Sequence, residues 1–275
     1  MLGQDRLLGI ARNVLLTVAC AFTLFPIAWL ALTSFKLPRD YFATPFQWMP
    51  SSLTIQHYFR LADLGGMAAV RNSLIVAAAS ALMTLLVAIP AAYAISKSRR
   101  GILRFAPTYV LALRALPPII LLIPLFLVYA RLGLLDTYVG LVLAFSTFNV
   151  PFAIWMLVGF FDDFPHEVQE AAVLDGLSEL GSLVRIIVPM IMPAVAVVGL
   201  FAFIAAWNEL MLATTFTGQN TRTVTKLISS LLQSPTGADF GAAAGIGVIS
   251  MVPGILLVAL GQRFLVRGLT AGSIK

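Results

Sequence analysis

The sequence predicts an all-α integral membrane protein of six transmembrane helices, with a short cytoplasmic two-helix hairpin between spans 4 and 5. Composition is the first reason: of 275 residues, 60% are hydrophobic and 11% charged, whereas about a quarter of a soluble domain's residues carry charge. The second is the length of the apolar runs. Six of them exceed the roughly 20 residues that cross about 30 Å of hydrocarbon as helix. They lie near Val14–Phe35, Ser73–Ser96, Phe105–Ala130, Tyr138–Phe161, Ile186–Asn208 and Phe240–Gln262. Five contain no formal charge and the third contains only Arg114. A buried helix of a soluble domain seldom runs so long without a polar face, and the short alternating segments of a spanning β-barrel are absent.

Basic residues orient the spans. With a cytoplasmic N-terminus, the inside segments hold ten Lys and Arg in 58 positions and the outside segments seven in 75. That density places both termini in the cytoplasm. The net charge of +6 sits at helix ends instead of in one patch, so it reads as membrane topology and no nucleic acid is expected as a partner. The single Cys20 cannot form an internal disulfide. The first span follows Arg6 and Arg12, yet its apolar run of about 22 residues exceeds a secretory signal core and reads as a retained anchor.

Two connections are too long for turns. The outside loop, 36–72, mixes Pro38, Pro45 and Pro50 with Tyr41, Phe42, Phe46, Trp48, Tyr58 and Phe59. Such a mixture suits an irregular segment at the headgroup level. The inside loop, 162–185, reads as two short helices. Pro165 opens the first, Val168, Ala171 and Ala172 share one face, and Gly176 stops it. Ser178 then caps a second, in which Leu180, Leu183, Val184 and Ile187 recur at three and four before Pro189. An interfacial membrane helix offers bulky apolar groups and a basic face. The first helix offers alanines with Glu167, Glu170 and Asp175, which suits a protein partner better than anionic lipid.

At these residues the sequence resembles the permease subunits of binding-protein-dependent ABC importers. Their cytoplasmic signature has the form E-A-A, three residues, G, nine residues, I, one residue, L-P. Glu170-Ala171-Ala172, Gly176, Ile186 and Pro189 match that spacing, with Val188 where Leu is usual. Further fragments resemble the carbohydrate, MalG-like branch: Arg71-Asn72-Ser73, Ala91-Ala92-Tyr93-Ala94, Leu116-Pro117-Pro118, Gly133-Leu134-Leu135-Asp136-Thr137, Ala206-Trp207-Asn208-Glu209 and Arg267-Gly268-Leu269-Thr270-Ala271-Gly272.

The resemblance implies a type 1 importer transmembrane domain over 71–263. Before it comes an N-terminal region, residues 1–70, with the first span and the extracytoplasmic loop, and after it a cytoplasmic tail, 264–275. It implies that Glu170, Ala171, Ala172, Asp175 and Gly176 form a coupling helix that docks on a cytoplasmic ATPase, whose closure drives alternating access. It further implies a bacterial plasma (inner) membrane location and, besides membrane lipid, three kinds of partner: a second homologous permease, a cytoplasmic ABC ATPase dimer and an extracytoplasmic solute-binding protein. ATP and Mg would belong to the ATPase, and this chain itself would bind no cofactor.

The residues agree with a transport subunit and no enzyme. No G-x-x-x-x-G-K-[ST] loop occurs. His57 and His166 fall on opposite sides of the membrane, so no metal site is expected, and no catalytic cluster is seen. Arg114, among Pro107, Pro117, Pro118 and Pro124, either lines the solute path or pairs with a neighbouring subunit. Trp207, Asn208 and Glu209 form a second pathway candidate, since an aromatic face with amide and carboxylate acceptors suits a polyhydroxylated ligand. Gly241, Gly245 and Gly254 read as close helix-packing positions. The alternative function is a self-contained secondary transporter or channel, which an internal inverted repeat or ion-coordinating carboxylates would mark. Neither is evident.

Overall fold

A computed structural model describes residues 2–98, 105–113, 117–235 and 237–271. All regular structure among them is helical: α1 (Leu2–Ser34), α2 (Gln56–Asp63), α3 (Gly66–Lys97), α4 (Ala106–Leu113), α5 (Pro118–Arg131), α6 (Tyr138–Asp162), α7 (His166–Leu174), α8 (Glu179–Met190), α9 (Met192–Trp207), α10 (Met211–Phe216), α11 (Val224–Leu232) and α12 (Phe240–Ala271). Within α1, α3, α6 and α12, four segments are long and apolar enough to cross a membrane: 9–34, 66–97, 138–162 and 240–259. A fifth is obtained when α8 and α9 count as one bent span.

The expected third and fifth spans are not straight helices. Described helix in the third divides into α4 and α5, and Pro117, whose backbone is extended, sits before α5. In the fifth, α8 meets α9 at an angle of 82°. Pro189 and Pro193 flank the bend at Ile191, and neither has an N–H to carry the helical ladder across it. Just before the bend, Leu183–Ile187 is π-helical and Val188 N–H reaches back to Leu183 O. Regular α9 therefore starts at Met192, six residues later than the sequence pattern places it.

The chain forms two compact units. One comprises 1–67 and 227–252. There α1 leaves its apolar side chains uncovered, with Phe22 82% exposed, as a helix dissolved in lipid tails does. Its hydroxyls are satisfied internally, Thr17, Thr23 and Thr33 each donating to the carbonyl four residues earlier. At its end Lys36 is buried. Its Nζ donates to Gln47 O at 2.8 Å and lies over the Trp29 ring, 4.3 Å from the centroid. Asp239 caps α12 by accepting from Ala242 N–H at 3.0 Å, and Arg60 of α2 pairs with it at 3.1 Å. Burial pushes the Tyr41 hydroxyl up to about 12, helped by the carboxylates of Asp239 and Asp40, so it stays a donor to Lys36 O.

The other unit comprises 68–226 and 253–275. Two apolar clusters hold its helices together. The first joins Val76, Ala77, Leu141, Phe145, Phe203 and Phe216, and the second joins Ala88, Tyr93, Leu157, Phe161, Leu183 and Val198. Small residues let the backbones approach where lipid supplies no hydrophobic drive, and Ala88, Ala92, Ala144 and Ala213 are fully buried.

The three glycines of the last span behave differently. A Cβ at Gly241 would collide with the His57 ring and the Tyr41 hydroxyl, and one at Gly245 would stand 3.0 Å from Leu61. At Gly254 nothing lies within 4 Å, so close packing does not explain that position within the chain. Gly241→Ala is expected to destabilise the protein by roughly 1–3 kcal/mol through overpacking, whereas Gly254→Ala is neutral or slightly stabilising because alanine favours helix. Thermal unfolding of the two variants in one detergent checks the contrast.

Candidate functional site

The loop that follows α6 is built by local rules. Pro165 precedes α7 with extended backbone, and Glu167 lies in the first turn, where the helix end is positive. The helix closes with Asp175 at its cap and Gly176 at φ 87°. Gly176 N–H donates to Val173 O at 3.0 Å and Leu177 N–H to Ala172 O at 3.1 Å. These two bonds constitute a Schellman stop, and its left-handed residue is the reason for glycine here. Ser178 Oγ then accepts from Gly181 N–H at 3.1 Å and caps α8.

In α7, Ala172 is buried while Glu170, Val173 and Leu174 are exposed, Leu174 at 88%. The helix is tied to α3: Gln169 Nε2 donates to Tyr93 Oη at 2.5 Å. The Tyr93 ring in turn stands edge-on to Phe161 at the end of α6, with centroids 5.7 Å apart. A cleft of about 750 Å³ runs between Gln169, Glu170 and Leu174 on one side and Ser96–Ser98 on the other. Thus Glu170, Ala171, Ala172, Asp175 and Gly176 form one short element, held through Gln169, which the sequence pattern did not single out.

Of the pathway candidates, Arg114 lies outside the described residues. Trp207 ends α9 and stacks on Phe203 at 5.8 Å. Asn208 folds back to donate to Ile204 O at 2.9 Å. Glu209 Oε1 accepts from Leu212 N–H at 3.0 Å, and its backbone carbonyl accepts from Thr225 Oγ1. The three are adjacent, and each takes part in ending α9 or starting α10.

A polar junction where α3 and α6 begin gives structural roles to two fragments that had carried only resemblance. Asp136, in the left-handed region at φ 55°, accepts from the backbone N–H groups of Gly218, Asn220 and Thr221, from Asn220 Nδ2 and from Thr221 Oγ1, at 2.7–3.2 Å. Asn72 donates to the carbonyls of Asn220 and Arg222, both at 3.1 Å, and accepts from Tyr138 Oη at 2.6 Å. Ser73 Oγ accepts from Val224 N–H. Thr137 Oγ1 caps α6 by accepting from Gly140 N–H. Burial raises the Asp136 pKa, but the hydrogen bonds from Thr221, Gly218 and Asn220 together outweigh it and hold the group at about 2. The sequence signal was the run Gly133–Thr137, a turn before an apolar span. Its partner loop, 217–224, has no comparable mark.

This arrangement of apolar helices, a short two-helix element after α6 and a polar junction before it defines a membrane transport component. Residues 84–271 match the family model described as the binding-protein-dependent transport system inner membrane component. The chain belongs to that family, whose members are permease subunits of ABC transporters and not enzymes. It is 33% identical to the trehalose/maltose transport system permease protein MalG of Thermococcus litoralis, covering 98% of this chain and 97% of that one. It is 30% identical to the sulfoquinovosyl glycerol transport system permease protein SmoH of Agrobacterium fabrum, covering 92% and 89%. The fold superposes on a bacterial ABC transporter that imports the acidic polysaccharide alginate, with a TM-score of 0.74 at 23% identity over 94% of this chain and 97% of that one.

Asp136→Asn places an amide against backbone N–H donors. It is expected to cost on the order of 1 kcal/mol, because the site is partly open to solvent. The depressed pKa fixes the sign. The carboxylate's stabilisation is complete above its ordinary value of 3.8 and is lost as pH falls through about 2. Melting curves in detergent should therefore separate the wild type from the variant near neutral pH, begin to approach each other below about pH 4 and converge only below about pH 2.

Proposed function

We propose that this chain is one of two homologous permease subunits in an ATP-driven importer of a carbohydrate, polyol or related solute. It crosses the bacterial plasma membrane six times with both termini in the cytoplasm. The observation that carries this reading is the loop element in which Glu170-Ala171-Ala172 is followed by the left-handed Gly176 stop. A helix tied near its middle by the Gln169–Tyr93 bond and ended by a fixed turn can act as a lever. Glu170, Ala171, Ala172, Asp175 and Gly176 are its docking residues, and a cytoplasmic ATPase dimer that carries ATP and Mg is its partner. The chain itself holds no cofactor. The family description supports an extracytoplasmic binding protein as the source of solute.

Two further spans complete the six. One is α4 with α5, and the other is α8 with α9 as a bent span. The basic-residue density supports the orientation. Relatives named for trehalose, maltose and sulfoquinovosyl glycerol support the carbohydrate class. Arg114, Trp207, Asn208 and Glu209 are proposed as solute-pathway residues, and 71–263 as the importer transmembrane domain between the N-terminal region, residues 1–70, and the tail, 264–275.

The test is purification of the tagged protein from its native membrane in mild detergent, with mass spectrometry of what accompanies it. Stoichiometric recovery of a phosphate-loop ATPase and a second permease is expected. The ATPase should be lost when Glu170→Ala is combined with Gly176→Val, a β-branched residue strained at positive φ. Recovery of the protein alone and still transporting would overturn the importer reading. A finer variant is Tyr93→Phe, which keeps the ring against Phe161 but removes a bond worth about 1 kcal/mol. Its expected signature is less solute imported per ATP hydrolysed, measured in proteoliposomes.

A further inference from the structure

The chain that leaves α1 closes a loop. At its neck the Asp40 carboxylate accepts from Ser51 N–H and from Ser51 Oγ, both at 2.9 Å. Thr54 N–H then donates to Phe35 O at 2.9 Å, back at the end of the helix. Within the neck, residues 41–50 carry no charge. Their large apolar side chains are turned outward instead of inward: Phe42, Phe46, Trp48 and Met49 are each more than half exposed. A contiguous exposed apolar patch marks a surface that meets something other than water.

The loop runs back down the helix and not away from it. Phe46 and Trp48 both pack on the Trp29 ring, each with centroids 5.7 Å apart. Trp29 stacks in turn on Phe25, one turn deeper, at 6.5 Å. Trp29 stands five residues before Ser34, where α1 ends, hence about 7.5 Å below that end at 1.5 Å per residue. Lys36 holds the loop at this level. From beyond the helix end its side chain reaches back, so that Nζ donates to Gln47 O and covers the Trp29 ring. A carbonyl lowered into an apolar layer needs a donor, and the buried ammonium supplies it.

We propose that residues 42–49 insert into the bilayer beside α1, in the leaflet at the Ser34 end of the span, and anchor that end to lipid. Continuity identifies the occupant. Phe25 is 56% exposed on the span itself, and the series Phe25, Trp29, Phe46 and Trp48 prolongs this lipid-facing surface without a polar break. A soluble partner would have to enter the membrane to reach it, and the charge-free tip offers such a partner no ion pair. The Arg39 side chain, 73% exposed beside the neck, suits the phosphate layer above. The inference rests on α1 being a membrane span and owes nothing to the solute or to the ATPase.

Nitroxide side chains test it in the complex purified from its native membrane and reconstituted in vesicles of phosphatidylethanolamine and phosphatidylglycerol. In a Cys20→Ala background, with the accompanying subunits free of cysteine, Phe42→Cys, Met49→Cys and Ser52→Cys are spin-labelled one at a time. Power saturation then compares molecular oxygen, which concentrates among acyl chains, with a nickel chelate, which stays in water. Oxygen is expected to relax the labels at 42 and 49 more strongly than the chelate does, with the order reversed at 52. Trp48→Glu should reverse the order at 42 and 49 as well, because a carboxylate is expelled from hydrocarbon.

Labels at 42 and 49 that the chelate relaxes more strongly overturn the anchor. So do labels shielded from both reagents, which place a protein subunit over the patch. An unchanged order at 42 in Trp48→Glu overturns it too. If that variant fails to assemble, the labels at 42, 49 and 52 in the otherwise unaltered loop decide.

Discussion

Most of the spanning region is surrounded by hydrocarbon, so its polar groups must find partners inside the protein or sit beyond the membrane. The threonine hydroxyls of α1 turn back onto their own helix, and Lys36 is held between Gln47 O and the Trp29 ring where that helix ends. Proline breaks occur where helices change direction, as at Ile191. Beyond the apolar segments the polar groups concentrate at two places, the Asp136 junction and the loop of α7 and α8. The exposed leucines and phenylalanines of the spans are the complement of the same rule, since their solvent is lipid.

Much of this was legible in the sequence. Runs of more than 20 apolar residues need no tertiary information to be recognised, and α1, α3, α6 and α12 follow from them. The boundary between α7 and α8 was equally readable, because Gly176 and Ser178 act through bonds only three to five residues long. Less legible were the breaks within the third and fifth spans. Hydropathy is blind to direction, and the window that found Ile186–Asn208 could not register an 82° turn inside it.

The side-chain ties were the least legible. Gln169 looks like any polar residue on a short amphipathic helix, and only its distance from Tyr93 gives it a role. Asp136 receives donors from residues more than 80 positions away. Arg114, by contrast, was conspicuous because a charge in an apolar run is rare. Composition finds the exceptional residue, whereas function here also rests on ordinary residues brought together.

The Asp136 junction has a consequence for how the chain is made. Asn72 reaches carbonyls 148 and 150 residues further on, and Asp136 reaches donors 82 to 85 residues further on. Neither tie can exist while the ribosome is still synthesising the middle of the protein. The early spans must therefore persist in the bilayer on hydropathy alone, with their polar ends unmatched, until the segment after α9 has emerged. Closure of that junction then marks the moment at which separately inserted helices become one tertiary structure, and a truncated chain ending before residue 218 would lack the donors to reach it.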